Sequence, residues 1–214
     1  MRPEKVMRTG PTRMPLAKDS HQVELRAAGW HSRGYLPHFD GRQVLQFITF
    51  HLADAVPKSV IEGWQLELGS RNSAADKLLL RSKIEKYADQ GHGRAFLKDP
   101  RLASMVQDVL LGDDGKKYRL SAWVVMPNHV HLLLVRFENY TLTEIMQSFK
   151  SLTSHKANKS LGRSGRLWMP DYFDRYIRNA KHYAQTIQYI ENNPVQARIC
   201  ARPEEYQFSS AWFR

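Results

Sequence analysis

The chain has 214 residues, a length that fits one domain with a single buried core. Hydrophobic residues make up 42% of it and charged residues 25%, and no run approaches the roughly 20 apolar residues of a membrane span. These values exclude a membrane-spanning protein. The one cysteine, Cys200, excludes an intrachain disulfide and favours a reducing compartment.

The charge balance is strongly basic. Lysine and arginine number 32 against 21 aspartate and glutamate residues, which gives a net charge of +11. Basic surface gains affinity for nucleic acid because it releases counterions from the phosphates. The balance therefore favours a nucleic-acid partner, with a basic but unrelated enzyme as the alternative.

The first residues differ from the rest of the chain. Residues 1–28 are basic, contain several prolines and lack periodicity, which predicts a flexible extension before a domain over 29–214. No apolar run follows the basic start, so we expect no secretory signal and a cytoplasmic location. The segment Gly29–Asp40 mixes aromatic and basic side chains. It either stacks nucleic-acid bases or packs as an arm anchored by its aromatics.

Further along, β-forming runs alternate with helical stretches. Asp99 and Thr143 are predicted helix caps, and Pro194 is predicted to stop the last helix. The pattern predicts an α+β fold with a mainly antiparallel sheet and a tight turn at Pro127 and Asn128. The predicted strands cover residues 44–53, 117–126, 129–137 and 172–178, and the predicted helices cover 58–68, 74–90, 100–111, 144–160 and 180–192.

A histidine pair lies in the apolar strand after that turn, in the run MPNHVHLLL. Residues two apart in a strand point to the same face, so His129 and His131 project side by side. Two imidazoles with an amide or carboxylate can hold a divalent cation that polarises a phosphate oxygen. The alternative is two histidines that are simply tolerated in the strand, although their ring nitrogens would then need other partners.

The last predicted helix carries a candidate nucleophile. Its apolar stripe has Tyr183 at the edge, which indicates a core position, whereas Tyr189 lies on the other side. Asn193 follows Tyr189 by one helical turn and is a candidate third metal ligand. A tyrosine can break a phosphodiester by becoming attached to the 5′ phosphate. The alternatives are that Tyr189 is a surface aromatic, or that Tyr183 is the nucleophile.

Basic side chains close to these elements are candidate DNA contacts. Together they predict a track for phosphates, although each one alone could be a solvated charge. Trp168 either stacks a base or lies in the core, and we favour the core. The candidate contacts are Lys150, His155, Lys156, Arg163, Arg166, Arg175 and Arg178.

Four blocks in this order resemble the REP-associated tyrosine transposases, relatives of the single-tyrosine HUH transposases: WVVMPNHVHLLL, SFKSLTSHKAN, YFDRYIRN and YIENNPVQARI. The resemblance implies a ferredoxin-like antiparallel sheet with helices on one face, and residues 58–115 add an extra helical insertion. It implies Mg²⁺ or Mn²⁺ held at His129 and His131, Tyr189 as nucleophile, and Asn193 at the family's polar position. It also implies a monomer, with a dimer as the alternative.

We therefore predict a metal-dependent single-stranded DNA endonuclease and strand transferase that acts on palindromic REP-type hairpins through a 5′-phosphotyrosine. The first alternative is a domesticated protein that binds hairpin DNA or RNA without nuclease activity. The second is a metal-independent RNA-binding or structural module in which both histidines are core residues. An ordinary hydrolase is disfavoured because the sequence lacks a P-loop, G-x-S-x-G, C-x-x-C and H-E-x-x-H.

Overall fold

The computed structural model describes residues 30–32, 37–39, 44–68 and 73–214. Two short strands, β1 (Trp30–Ser32) and β2 (Pro37–Phe39), pair as an antiparallel hairpin. The predicted extension over 1–28 lies outside the described residues. So do the side chains of Gly29–Asp40, and the choice between base stacking and a packed arm stays a prediction.

A four-stranded antiparallel sheet forms the centre of the molecule. Its strands lie in the order β4-β5-β3-β6. The first of these strands along the chain, β3, therefore pairs with the last, β6. The turn at Pro127 and Asn128 joins the central hairpin, as predicted. The strands are β3 (Leu45–His51), β4 (Tyr118–Val125), β5 (His129–Arg136) and β6 (Phe173–Tyr176). This arrangement confirms the predicted α+β class.

Among the residues that the structure describes, five α-helices accompany the sheet, at the five predicted places. None of the helices among the described residues is long and apolar enough to cross a membrane. They are α1 (Lys58–Leu68), α2 (Ala74–Asp89), α3 (Pro100–Asp113), α4 (Leu142–Ser160) and α5 (Ala180–Gln196).

The helix ends test the predicted caps. The Asp99 carboxylate accepts the backbone N–H of Arg101 at the start of α3, as predicted. The prediction of Thr143 as the cap of α4 is wrong, because Thr141 caps it through a reciprocal capping box with Glu144. The predicted stop before Pro194 is also wrong, since α5 continues to Gln196. A proline removes one N–H donor, and here its ring is buried against the core.

One face of the sheet packs against α3 and α4. Ile48 and Phe50 of β3 meet Val106 of α3 and Phe149 of α4 in the largest apolar cluster. Trp168 is 2% exposed in the same cluster, which confirms the predicted core position. Its indole N–H donates to the Thr153 hydroxyl at 2.8 Å.

The other face packs against α5, so the expectation of helices on one face only is wrong. Phe47 and Leu133 on this face meet Ile190 of α5 in a second apolar cluster. Every residue of β5 is buried, and a strand that is apolar on both sides needs cover on both. The histidine pair belongs to the α5 face.

The first two helices of the predicted insertion, α1 and α2, contribute to a third and smaller apolar cluster around Ile61, Leu80 and Ile84, whereas α3 packs on the sheet. The C-terminal end of α2 is tied to the β4–β5 turn, because the Asn128 side-chain amide donates to the Ala88 carbonyl at 2.8 Å. This attachment brings the end of α2 to the histidine pair.

Candidate metal and nucleophile site

His129 and His131 lie side by side on β5, as the strand periodicity predicts. Their ring centroids are 4.6 Å apart, and each side chain is 1% exposed. Thr49 and His51 on the neighbouring strand β3 are their register partners. The pair is therefore held by two hydrogen-bonded strands, which fix its spacing more firmly than a loop would.

Asn128 orients His129. The His129 Nδ1 lies 2.8 Å from the Asn128 Oδ1, while the amide nitrogen of Asn128 donates to the carbonyls of Ala88 and His92. These two donations fix which way the amide points, so its oxygen faces the ring. Nδ1–H must then be the donor, and Nε2 keeps its lone pair for a metal.

His131 is held by partners on both ring nitrogens. The Thr49 hydroxyl lies 2.8 Å from Nδ1, and the Asn193 side-chain nitrogen lies 3.4 Å from Nε2. Asn193, on α5, is 2% exposed. The helix thus places the predicted third ligand beside the pair.

Asp89, the last residue of α2, completes the group. Its carboxylate lies 3.6 Å from the His129 Nε2, and ligand atoms of Asp89, His129 and His131 all lie within 4.8 Å of one another. The sequence analysis missed Asp89 because it belongs to no local motif. Only the packing of α2 against the β4–β5 turn brings it here.

These donors fit a divalent cation. The His129 Nε2 and the Asn193 Oδ1 are buried, and within the described part of the chain neither has a hydrogen-bond partner. Buried polar atoms left in this way are costly unless something binds them. The carboxylate and amide oxygens of this group are ligands that Mg²⁺ and Mn²⁺ accept, and imidazole is a common ligand of divalent transition metals.

The electrostatics of the group agree with metal binding. Burial lowers the pKa of His129 to about 4 and lowers the pKa of His131 well below its usual value, with His129 and His51 adding to the effect. Both rings are therefore neutral near pH 7, as metal ligands must be. Burial, and then the charge of Glu85, raises the pKa of Asp89 to about 6.

Tyr189 of α5 lies against the histidine pair. Its ring centroid is 5.2 Å from that of His131 and 5.8 Å from that of Phe47. The side chain packs on the core of the α5 face instead of standing on an exposed side. Burial raises its pKa, with Glu85 and Asp89 adding to the shift. Tyr183 is half-buried against the same core.

Two arginines flank this tyrosine from other elements. Arg81 of α2 and Arg175 of β6 each have the guanidinium carbon 5.8 Å from the centroid of Phe47. Their charges lower the pKa of Tyr189, against the larger opposing effect of burial. Arg175 was a predicted DNA contact, whereas the sequence analysis missed Arg81.

The other predicted DNA contacts are dispersed. His155 and Lys156 are exposed on α4, which covers the sheet face opposite to the histidines. Arg163 and Arg166 lie in the following loop, and Arg178 is exposed before α5. Lys150 instead donates to the backbone carbonyls of residues 169, 170 and 171. All seven residues stay predicted DNA contacts.

Comparison with known proteins gives the family relationship. Residues 99–193 match the family model described as "Transposase IS200 like". A REP-associated tyrosine transposase of Escherichia coli strain K12 is 28% identical over 97 residues, which cover 44% of this chain and 55% of that protein. The chain spans about half the length of the curated relatives that it matches. The predicted relationship to the REP-associated tyrosine transposases is confirmed.

A solved structure gives the same relationship for the fold. The structure of a REP-associated tyrosine transposase bound to a REP hairpin matches with a TM-score of 0.50 and 16% identity, over 84% of this chain and 81% of that chain. At this identity the likeness shows the fold alone. The fold of this chain is similar to that of this REP-associated tyrosine transposase.

Proposed function

Because the chain is related to the REP-associated tyrosine transposases, we propose that it is a metal-dependent single-stranded DNA endonuclease and strand transferase. Its intermediate is a 5′-phosphotyrosine on Tyr189. The observation that carries the proposal is the meeting of two elements distant in sequence: the Tyr189 ring lies 5.2 Å from that of His131.

In this proposal His129, His131 and Asn193, with Asp89, hold Mg²⁺ or Mn²⁺. The cation, when bound, supplies positive charge that polarises a non-bridging oxygen of the scissile phosphate. The hydrogen bonds from Asn128 and Thr49 keep both imidazoles oriented, and such orienting partners commonly change metal affinity by about 10- to 100-fold.

Tyr189 performs the covalent step. Its phenol oxygen forms the new bond to phosphorus as the bond from phosphorus to the 3′ oxygen breaks. The phenol loses one proton and the departing 3′ oxygen gains one, so the step needs no other reactant. Religation is the reverse step, with a 3′ hydroxyl as attacker. The half-buried setting of Tyr189 limits the access of water to the intermediate.

We propose palindromic REP-type hairpins, in single-stranded form, as the substrate. The related transposase is known bound to a REP hairpin, and the net charge of +11 suits a polyanion. Both the histidine pair and Tyr189 come from one chain here. A site complete in one chain supports a monomer as the active form.

The test is covalent capture of DNA. Hairpin oligonucleotides of palindromic REP-type sequence are incubated with the full chain and Mn²⁺, and the protein–DNA adduct is resolved on a denaturing gel. We expect Tyr189→Phe to abolish the adduct and the matched Tyr183→Phe variant to retain it. An adduct that survives Tyr189→Phe contradicts the assignment.

One observation favours a second candidate, a hairpin-binding protein without nuclease activity. Both histidines are 1% exposed beneath the end of α2, so little of either ring is accessible to DNA. Hairpin binding by the wild-type chain with no adduct in Mn²⁺ would support this candidate over the nuclease.

A further inference from the structure

Two guanidinium groups share one neighbourhood with the candidate nucleophile. Arg81 comes from α2 and Arg175 from β6, and each lies 5.8 Å from the centroid of Phe47. Phe47 also contacts the rings of Tyr189 and His131. Both arginines therefore lie near Tyr189, beside the candidate metal ligands Asp89, His129 and His131.

Glu85 is the carboxylate whose charge acts on both arginines. Arg81 is 8% exposed, and its Nε donates to the Glu85 carboxylate at 3.0 Å. The buried Nε of Arg175 has no hydrogen-bond partner among the described residues. Burying a guanidinium costs several kcal/mol unless hydrogen bonds and charge compensate it. A pair left incomplete in this way points to an anion that completes it.

Arg81 is held by two contacts. Its guanidinium carbon lies over the ring of Phe173, and its Nε donates to the Glu85 carboxylate. A guanidinium carries five N–H donors in a planar fork, so Arg81 has donors beyond the one that Glu85 accepts, and such a fork can bind two oxygens of one phosphate.

We propose that Arg81 and Arg175 together bind the phosphodiester that Tyr189 attacks, and keep hold of the same phosphate in the phosphotyrosine. This inference rests on the proposed function and deepens it. Arg81 lies in the helical insertion, outside the residues 99–193 that match the family model. The insertion thereby contributes a phosphate-binding residue to the site.

The rival explanation is that Arg81 merely braces α2 through Glu85 and Phe173. The experiment must therefore measure phosphate binding separately from folding and from DNA cleavage. Phenyl phosphate is a suitable probe because it resembles a phosphotyrosine and needs no knowledge of the DNA sequence. Its binding to the full chain is followed by ³¹P line broadening.

The variants are Arg81→Gln, Arg81→Lys and Arg175→Gln. The matched control is Arg101→Gln, an exposed arginine that is likewise paired with a carboxylate, Asp99. Thermal unfolding of each variant checks its fold. We expect Arg81→Gln and Arg175→Gln each to weaken phenyl phosphate binding by about tenfold or more and to slow adduct formation by roughly 10- to 100-fold. We expect Arg81→Lys to lose less and Arg101→Gln to lose nothing.

The outcomes separate the two proposals. If phenyl phosphate does not bind the wild type, or binds well-folded Arg81→Gln and Arg175→Gln as tightly as wild type, the phosphate role is overturned even when the adduct forms. If both arginines prove necessary for phosphate binding while no adduct forms with DNA, the phosphate role stands and the nuclease proposal fails. Should Arg81→Gln fail to fold, Arg175→Gln alone decides by the same criterion.

Discussion

His129 offers a lone pair at Nε2 because the Asn128 oxygen accepts from its Nδ1–H, and the Thr49 hydroxyl holds the Nδ1 side of His131. Asn128 was visible in the sequence only as a turn residue, yet its amide ties the turn, α2 and His129 together. The spacing of the two histidines was predictable because a strand repeats every two residues. Their hydrogen-bond partners were not, because those come from elements distant in sequence.

The charge of the Asp89 carboxylate should control the affinity for Mn²⁺. Its pKa is raised to about 6, mainly by burial, so it loses its charge as the pH falls through 6. His129, with a pKa of about 4, stays neutral over the same range. We expect Mn²⁺ affinity, measured by calorimetry, to fall as the pH drops from 7 to 5.

The variant Asp89→Asn tests whether the charge of Asp89 causes this pH dependence of Mn²⁺ affinity. This variant should bind Mn²⁺ more weakly than the wild type at pH 7. Its Mn²⁺ affinity should also change less between pH 5 and pH 7. The exposed Asp108→Asn change serves as the control and should leave both unaffected. A wild-type pH dependence retained in Asp89→Asn would remove Asp89 from the metal group.

At the scale of elements, the four strands of the central sheet and the five α-helices were predictable within a few residues, since each carries its own periodicity and breakers, whereas the short hairpin β1–β2 was not predicted. Helix α1 over Lys58–Leu68 follows the prediction at both ends. The placement of α2 was not predictable, because its charged sequence does not specify the surface that it covers. Arg81 and Asp89 were missed for that reason, and the prediction of helices on one face did not provide for α5 on the other.

The attachment of α2 gives the element-scale prediction. Leu80 is 5% exposed in the small cluster that α2 shares with α1, whereas the adjacent Leu79 is 50% exposed. Leu80→Ala should cost about 2–5 kcal/mol of local stability, speed hydrogen exchange in α2 and weaken Mn²⁺ binding. Leu79→Ala should change stability by less than about 0.5 kcal/mol.

The same two measurements can also show that α2 has no part in Mn²⁺ binding. If hydrogen exchange in α2 rises in Leu80→Ala while the affinity for Mn²⁺ stays at the wild-type value, α2 does not contribute to the metal group. The central sheet acts as the internal reference, because its exchange should remain unchanged in both variants.

At the scale of the whole molecule, three neutral histidines lie beneath the surface. Burial lowers the pKa of His51, His129 and His131 below the usual value of 6.5. An unfolded chain protonates them below pH 6.5 while the folded chain does not, so folding stability is lost as the pH falls from there. Asp89 acts in the opposite direction. Because its pKa is raised from 3.8 to about 6, folding gains stability from this residue as the pH falls from about 6 to 3.8.

Three histidines outweigh one aspartate, so the metal-free protein should be less stable at pH 5 than at pH 7. For His129 alone the loss is about 2 kcal/mol at pH 5. Since about 1 kcal/mol shifts Tm by roughly 2–4 °C in a chain of this size, we expect Tm to fall by at least about 4 °C. Thermal unfolding followed by circular dichroism measures this, and an unchanged Tm would show that the histidines titrate normally.

The central claim, that Tyr189 becomes covalently attached to DNA beside the histidine pair, is tested most directly by locating the attachment. Trypsin digestion releases one peptide, residues 182–198, that contains both Tyr183 and Tyr189. After reaction with hairpin DNA and Mn²⁺, followed by nuclease trimming, fragmentation mass spectrometry of this peptide assigns the modified residue. The structure predicts a nucleotide 5′-phosphate on Tyr189. A nucleotide on Tyr183, or none on either tyrosine, would contradict it.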